Sequence, residues 1–295
     1  MARPEMVREP FRLRKELKLS PGYILCGFWA LFTFVLVGWT IAASLVSPRE
    51  VFSGDVPGAF LQRLLNLDLK WDNYTLAWSS QNLSGFFLNS LMYCIISLTL
   101  IIIIAAPASY ALSRFKFRFN AVIQNMTSIA MGVPAVMIIM PLFSIATALK
   151  ATGTRPTLIF LYIGMNIPFT IFYLLPFFKN LPSGLEEAAA VDGCSPVKTF
   201  WSIMFPLAQP GIITVTIFNF ITIWNEFFIS MIFANDAAIR PISVGLFNMV
   251  QGMKYSGHWG AMFASAVIVF APTFILFIVL SNKIIASVTG GAMKG

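Results

Sequence analysis

The sequence predicts an all-α, polytopic membrane protein with six spanning helices. Three observations carry that prediction. Of the 295 residues, 58% are hydrophobic and only 11% are charged, whereas soluble domains carry about 25% charged residues. Six apolar stretches, at approximately 23–46, 86–109, 121–149, 157–178, 211–234 and 261–280, are long enough to span, since about 20 helical residues cross the hydrocarbon core. The basic residues also partition by side. With both ends placed inside, the outer loops keep only Arg49, Arg63, Lys70, Lys150, Arg155, Arg240 and Lys254 of the 20 Lys and Arg. That asymmetry follows the positive-inside rule. The net charge of +8 is therefore topological and gives no sign of nucleic-acid binding.

Each segment has its own signal. Residues 1–20 form a charged arm with Glu and Lys/Arg interleaved, suited to a short helix at an anionic lipid face. The first apolar run exceeds the 7–15 residues of a signal-peptide core, so it is expected to remain as a span, although Ala42-Ala43-Ser44 mimics a cleavage site. Residues 47–85 make the main external loop, broken early by Pro48, Gly54, Pro57 and Gly58. Its Asn73-Tyr74-Thr75 and Asn82-Leu83-Ser84 match glycosylation sequons, which carry no meaning in a bacterial cell. A six-span domain at 21–284 and an inner tail at 285–295 complete the chain.

Several spans contain breakers. The third holds Gly132, Pro134 and Pro141, the fourth Asn166, Pro168 and Pro176, and the sixth Pro272. Breaks are tolerated where neighbouring helices or a water-filled cavity satisfy the freed backbone. A transport path and ordinary kinks are both open readings. Glu226, with Trp224 and Asn225 beside it, is the acidic residue of the predicted spans. Such a charge costs roughly 2.5–3.5 kcal/mol on insertion scales and should face the bundle interior or water. It either lines a polar path or staples two helices.

The residue inventory limits the chemistry. Cys26, Cys94 and Cys194 are too scattered for a disulfide framework or a zinc site. His258, beside Trp259, reads as a surface residue. No GxxxxGK[ST], HExxH or GxSxG occurs, so ATP hydrolysis and two common hydrolase chemistries have no motif here. No internal repeat is visible, which argues against a repeat-built secondary carrier.

The inner loop at 179–210 is the most structured connection. Ser183-Gly184-Leu185-Glu186 fits a capping box, and Glu186 and Glu187 suit the first turn of a helix. Three alanines follow, and Gly193 fits a C-terminal cap. Ser195-Pro196 then opens a second short helix. The three alanines give the first helix a low profile, and on spacing alone it either lies in a groove on another protein or merely connects two spans at the membrane face.

The pattern Glu187-Ala188-Ala189, Gly193, Pro206 resembles the EAA loop of ATP-binding-cassette (ABC) importer permeases. Asn73-Tyr74, Asn89-Ser90, Tyr110–Phe115, Trp224–Phe227 and Gly290–Gly295 are similar to segments of the sugar-importing branch, the MalG type. Cys194 stands where that family commonly has Ala. The resemblance implies a type I importer permease fold in a bacterial inner membrane, with both termini cytoplasmic. It implies an ATPase contact at Glu187, Ala188, Ala189, Asp192 and Gly193; the polar and aromatic residues Asn166, Trp224, Asn225 and Glu226 of the spans are the candidates for a translocation path. The implied partners are a second, homologous permease, two ATPase copies, an extracytoplasmic sugar-binding protein and the carbohydrate itself. The chain itself would hold no cofactor, because ATP and Mg would sit in the ATPase. A glycerol-phosphate permease of the same family, an ion-coupled carrier using Glu226 and a membrane enzyme are the competing readings.

Overall fold

In the computed structural model, residues 13–80 and 82–292 are described. Most of the predicted N-terminal arm and the final three residues lie outside them. The chain folds as helices α1 (Leu13–Ser44), α2 (Pro48–Phe52), α3 (Val56–Leu65), α4 (Asp72–Thr75), α5 (Leu83–Arg114), α6 (Asn120–Met131), α7 (Ala135–Ala148) and α8 (Arg155–Lys179). It continues through α9 (Gly184–Val191), α10 (Pro196–Thr199), α11 (Phe205–Leu207), α12 (Gln209–Trp224), α13 (Phe228–Phe233), α14 (Ile242–Ser256) and α15 (Trp259–Ala292). Among the described residues, four helices are long and apolar enough to cross a membrane, or up to six if each of two bent pairs is one span.

The bends fall where a helix cannot continue. The predicted third span is two helices, α6 and α7, meeting at 102°. Pro134 takes an extended conformation at the break, and a residue preceding proline is driven from helical geometry. A second bend of 76° separates the Pro196–Leu207 segment from α12, with Pro206 and Pro210 around it. The predicted fifth span is also interrupted. α12 stops at Trp224 and α13 begins only at Phe228, with no Pro or Gly between them. The outer helices run further than predicted. α1 begins inside the expected arm and passes through Pro21. α15 continues through the expected tail to Ala292.

α5 and α8 form the centre of the bundle. Tyr93 and Tyr162 meet edge-to-face across them at 5.9 Å, inside a core that also buries Ile101, Leu158, Trp224 and Phe233. A second core at the other end of α5 gathers Tyr110, Phe178, Phe200 and Met204. α12 packs closely on α8, and a Cβ at Gly211 would lie 2.6 Å from the Phe177 ring. Between α8 and α12, Asn219 donates to Thr170 Oγ1 at 2.8 Å, and Thr170 donates to the Asn166 carbonyl at 2.7 Å. These bonds pair the Asn219 amide N–H and the Thr170 hydroxyl, which would otherwise be costly in an apolar interior.

The predicted external loop is a helical cap. Asn73 donates its amide hydrogens to the Ser44 and Val46 carbonyls at 2.9 and 3.0 Å, and Tyr74 shares a 2.8 Å hydrogen bond with Ser44. The α1 C-terminus is thereby tied to α4, and the Asn73 sequon amide is already committed. Within the cap, Arg63 Nε donates to Glu50 at 2.7 Å. The Ser47 amide and hydroxyl each donate to the same Glu50 oxygen at 2.8 Å.

Those contacts hold the Glu50 carboxyl below its ordinary value of 4.5, at about 2. The Arg63 hydrogen bond is the chief cause, burial opposes it, and the Ser47 bonds reinforce it. A carboxyl depressed on folding contributes stability that is complete above its unfolded value and is lost as pH falls through the folded one. The cap is therefore expected to loosen between about pH 4.5 and pH 2. Hydrogen exchange over residues 48–65, corrected for intrinsic chemistry, should show that loosening in the natural chain. Glu50→Gln should remove the pH dependence.

Candidate functional site: the loop gripped by the end of α5

Both ends of α5 hold segments distant in sequence. At its start, Asn89 donates to the carbonyls of Ala238 and Arg240 at 2.9 and 3.0 Å. Tyr93 donates to the Ile239 carbonyl at 2.7 Å, and Ser90 accepts from the Ile242 amide at 2.8 Å. Arg155, opening α8, donates to the Ala238 carbonyl at 2.8 Å. The connection after α13 is therefore fastened to α5 and α8 together.

At the other end, α5 grips the 181–210 loop. The Tyr110 hydroxyl donates to Glu186 Oε1 at 2.6 Å. Arg114 Nε lies 3.6 Å from Glu186 Oε2, and Arg114 also donates to the Leu181 carbonyl. The Tyr110 ring sits against Phe178 and Phe200 at 5.7 and 5.2 Å. One carboxylate on α9 thus answers a hydroxyl and a guanidinium on α5. This corrects the capping-box reading. Ser183 is helical and makes no side-chain cap bond, so Glu186 serves a tertiary contact 76 residues away in sequence. Tyr110 and Arg114 carried a sequence resemblance, but no role had been read for them.

The remaining loop geometry follows its residues. The Gly193 amide bonds to the Ala190 carbonyl at 3.1 Å, and the Cys194 amide bonds to Ala189 at 2.9 Å. Gly193 has φ +73°, where an L side chain would be strained. This pair of bonds is a Schellman motif. Ser195 caps α10, accepting from the Lys198 amide at 3.3 Å, with Pro196 at the first helical position.

The predicted contact residues divide. Glu187, Ala188, Asp192 and Gly193 are exposed, with Val191 beside them 88% exposed and Val197 also open. Ala189 is only 3% exposed. It turns into the chain, which corrects its assignment to the outward contact.

The predicted path residues do not converge. Trp224 is 1% exposed, and its indole donates to the Val269 carbonyl at 3.0 Å. It is a core anchor between α12 and α15 and lines no opening here. Asn166 is buried and donates to the Tyr162 carbonyl at 2.7 Å. Asn225 is exposed, with its amide on the Ile221 carbonyl at 2.8 Å. Glu226 is half-buried and caps α13. It accepts from the Ile229 and Ser230 amides at 2.7 and 3.0 Å and from the Ser230 hydroxyl at 2.5 Å. Ser230 in turn pairs with the Tyr162 hydroxyl at 2.6 Å. A carboxylate on the orphan amides of a helix N-terminus is favoured by their charge and by the helix dipole. The carboxylate's bonds are thus local to α13, and the link onward to α8 runs through Ser230. Asn219, wholly buried and bonded to Thr170, escaped the sequence reading.

A helical bundle with a gripped, capped and outward-facing loop matches one family. Residues 97–285 match the binding-protein-dependent transport system inner membrane component. The chain belongs to that family. It is the membrane component, or permease, of an ABC importer. A relative is the diacetylchitobiose uptake system permease protein NgcG of Streptomyces coelicolor, 30% identical over 92% of this chain and 88% of that one. The trehalose transport system permease protein SugB of Mycobacterium tuberculosis is 27% identical over 91% and 97%. The sulfoquinovosyl glycerol permease SmoH of Agrobacterium fabrum is 32% identical over 76% and 78%. The fold is shared with a bacterial ABC transporter that imports the acidic polysaccharide alginate. The match has a TM-score of 0.79 at 22% identity, covering 93% of this permease and 99% of that chain.

The α5–loop clamp sets a direct expectation. A charge-assisted hydrogen bond is worth about 1.5–3 kcal/mol. Glu186→Ala should therefore free α9 and raise the maleimide reaction rate of the half-buried Cys194, measured with Cys26 replaced by Ser because it too is exposed. Glu187→Gln, on the outward side, should leave that rate unchanged.

Proposed function

We propose that this permease carries a di- or oligosaccharide across the bacterial inner membrane, driven by a separate ATPase through the 181–210 loop. The observation that carries the mechanism is the outward display of Glu187, Ala188, Val191, Asp192 and Gly193 on a helix whose inner side is clamped to α5. A surface that is both exposed and rigidly attached can receive force and pass it on. The relatives that transport diacetylchitobiose and trehalose support a carbohydrate as cargo.

In this reading, two ATPase copies serve this chain and a second, homologous permease. They bind the ATP and Mg, and this chain binds neither. An extracytoplasmic binding protein delivers the sugar at the end carrying the α2–α4 cap. Both termini lie in the cytoplasm, as the distribution of Lys and Arg favours. Closure of the ATPase dimer displaces α9. Tyr110 and Arg114 carry that displacement to α5, whose 32 residues extend roughly 48 Å at 1.5 Å per residue. At its far end Asn89, Ser90 and Tyr93 move with the segment after α13. Alternating access then follows from two packings of the bundle, each favoured by a different ATPase state. Asn225, exposed at the break in the fifth span, remains the path candidate best placed to meet a hydroxyl.

Glu187→Lys reverses the charge on the contact helix. Gly193→Asp puts a side chain where φ is +73°. Either change should cut ATPase co-purification and sugar uptake at least tenfold while membrane insertion persists. Normal uptake and co-purification in both variants would sink the coupling assignment.

A further inference from the structure

We propose that the turn between α5 and α6 is a binding site for the phosphate-bearing headgroup of an anionic phospholipid. The turn reads Arg114-Phe115-Lys116-Phe117-Arg118-Phe119, with cations and phenyl rings in strict alternation. An open cleft of about 380 Å³ lies there, lined by Arg114, Lys116, Arg118, Phe115, Phe117 and Asn120 among others. That is within the roughly 300–1,000 Å³ of small-molecule sites. Nothing assigned to the coupling loop uses Lys116 or Arg118.

Of the three cations in the cleft, only Arg114 is ion-paired within the described residues, with Glu186. Lys116 and Arg118 are exposed and form no ion pair among the described residues. The cleft is also built, because its walls are held by side chains. Asn120 donates to the Leu112 and Phe115 carbonyls at 2.9 and 2.7 Å, and Gln124 donates to the Leu112 carbonyl at 2.9 Å. Arg118 stacks over the Phe119 ring at 5.4 Å. The turn therefore presents its cations in a fixed place.

The rings select the occupant. Phe115, Phe117 and Phe119 are all exposed, directly after a helix long and apolar enough to span. Three exposed phenyl rings at the end of a span meet the boundary between acyl chains and headgroups. A soluble anion would satisfy the cations and leave the rings in water. A phospholipid satisfies both, with phosphate on Lys116 and Arg118 and its glycerol and upper acyl chain on the rings. Basic clusters at this depth attract anionic headgroups by about fivefold in affinity per cation.

The site does not depend on what the permease transports. Native mass spectrometry of the purified, assembled transporter, titrated with phosphatidylglycerol, phosphatidylcholine and inorganic phosphate, tests it. Phosphatidylglycerol should be retained over phosphatidylcholine, and millimolar phosphate should not displace it. K116Q and R118Q should each lower phosphatidylglycerol affinity about fivefold, whereas K179Q, at the same end of the bundle, should not change it. Equal retention of the two lipids, or unchanged affinity in K116Q/R118Q, would overturn the proposal. So would displacement by phosphate, which would mark a small-anion site. Loss of a partner subunit from K116Q/R118Q with lipid binding intact would make the turn a protein contact and overturn it as well.

Discussion

Wherever a spanning helix stops or bends, its freed carbonyls and amides need partners, because lipid offers none. That constraint accounts for a set of Asn, Gln, Tyr, Arg and Glu side chains in this bundle. Asn73 takes the carbonyls at the end of α1. Asn120 and Gln124 take those at the end of α5. Asn89, Tyr93 and Arg155 take those after α13, and Glu226 takes the amides that open α13. Polar groups that look like candidate ligands in sequence are, in this fold, largely the fasteners of broken helices.

The same fasteners create the mechanical layout. One of these sets sits at the start of α5, and Tyr110 and Arg114 hold the inner loop near its other end. A helix secured to the inner loop through Tyr110 and Arg114, and to the 238–242 segment through Asn89, Ser90 and Tyr93, cannot shift without moving both. Its aromatic cores, Tyr93 with Tyr162 and Tyr110 with Phe178 and Phe200, sit beside those two attachments. Close-packed cores transmit displacement rather than absorb it.

Features set by local chemistry were legible in the sequence. The apolar stretches gave the spans, Gly193 gave the end of α9, and Ser195-Pro196 gave the start of α10. Gly132 and Pro134 announced a break, although not a bend of 102°. Features set by distant partners were not legible. Ser183-Gly184-Leu185-Glu186 has the spacing of a capping box, and only the folded position of Tyr110 shows where the carboxylate goes. The interruption between α12 and α13 carries no Pro or Gly, so its sole local signal was an acidic residue in an apolar run. Trp224 and Asn166 were placed by residue type on a path, yet burial and a satisfied N–H group put them in the packing. Ala189 belongs to the motif but faces inward, because only one side of an eight-residue helix is free when the other is clamped.

The central claim is that transport through this chain is powered from outside it. The most direct measurement is labelled-sugar uptake into proteoliposomes holding the chain with its co-purified subunits, comparing enclosed ATP with an imposed ion gradient. The account predicts uptake only with ATP, the complete assembly and the external binding protein. Gradient-driven uptake by the chain alone, abolished by Glu226→Gln, would contradict it and make that carboxylate the coupling site.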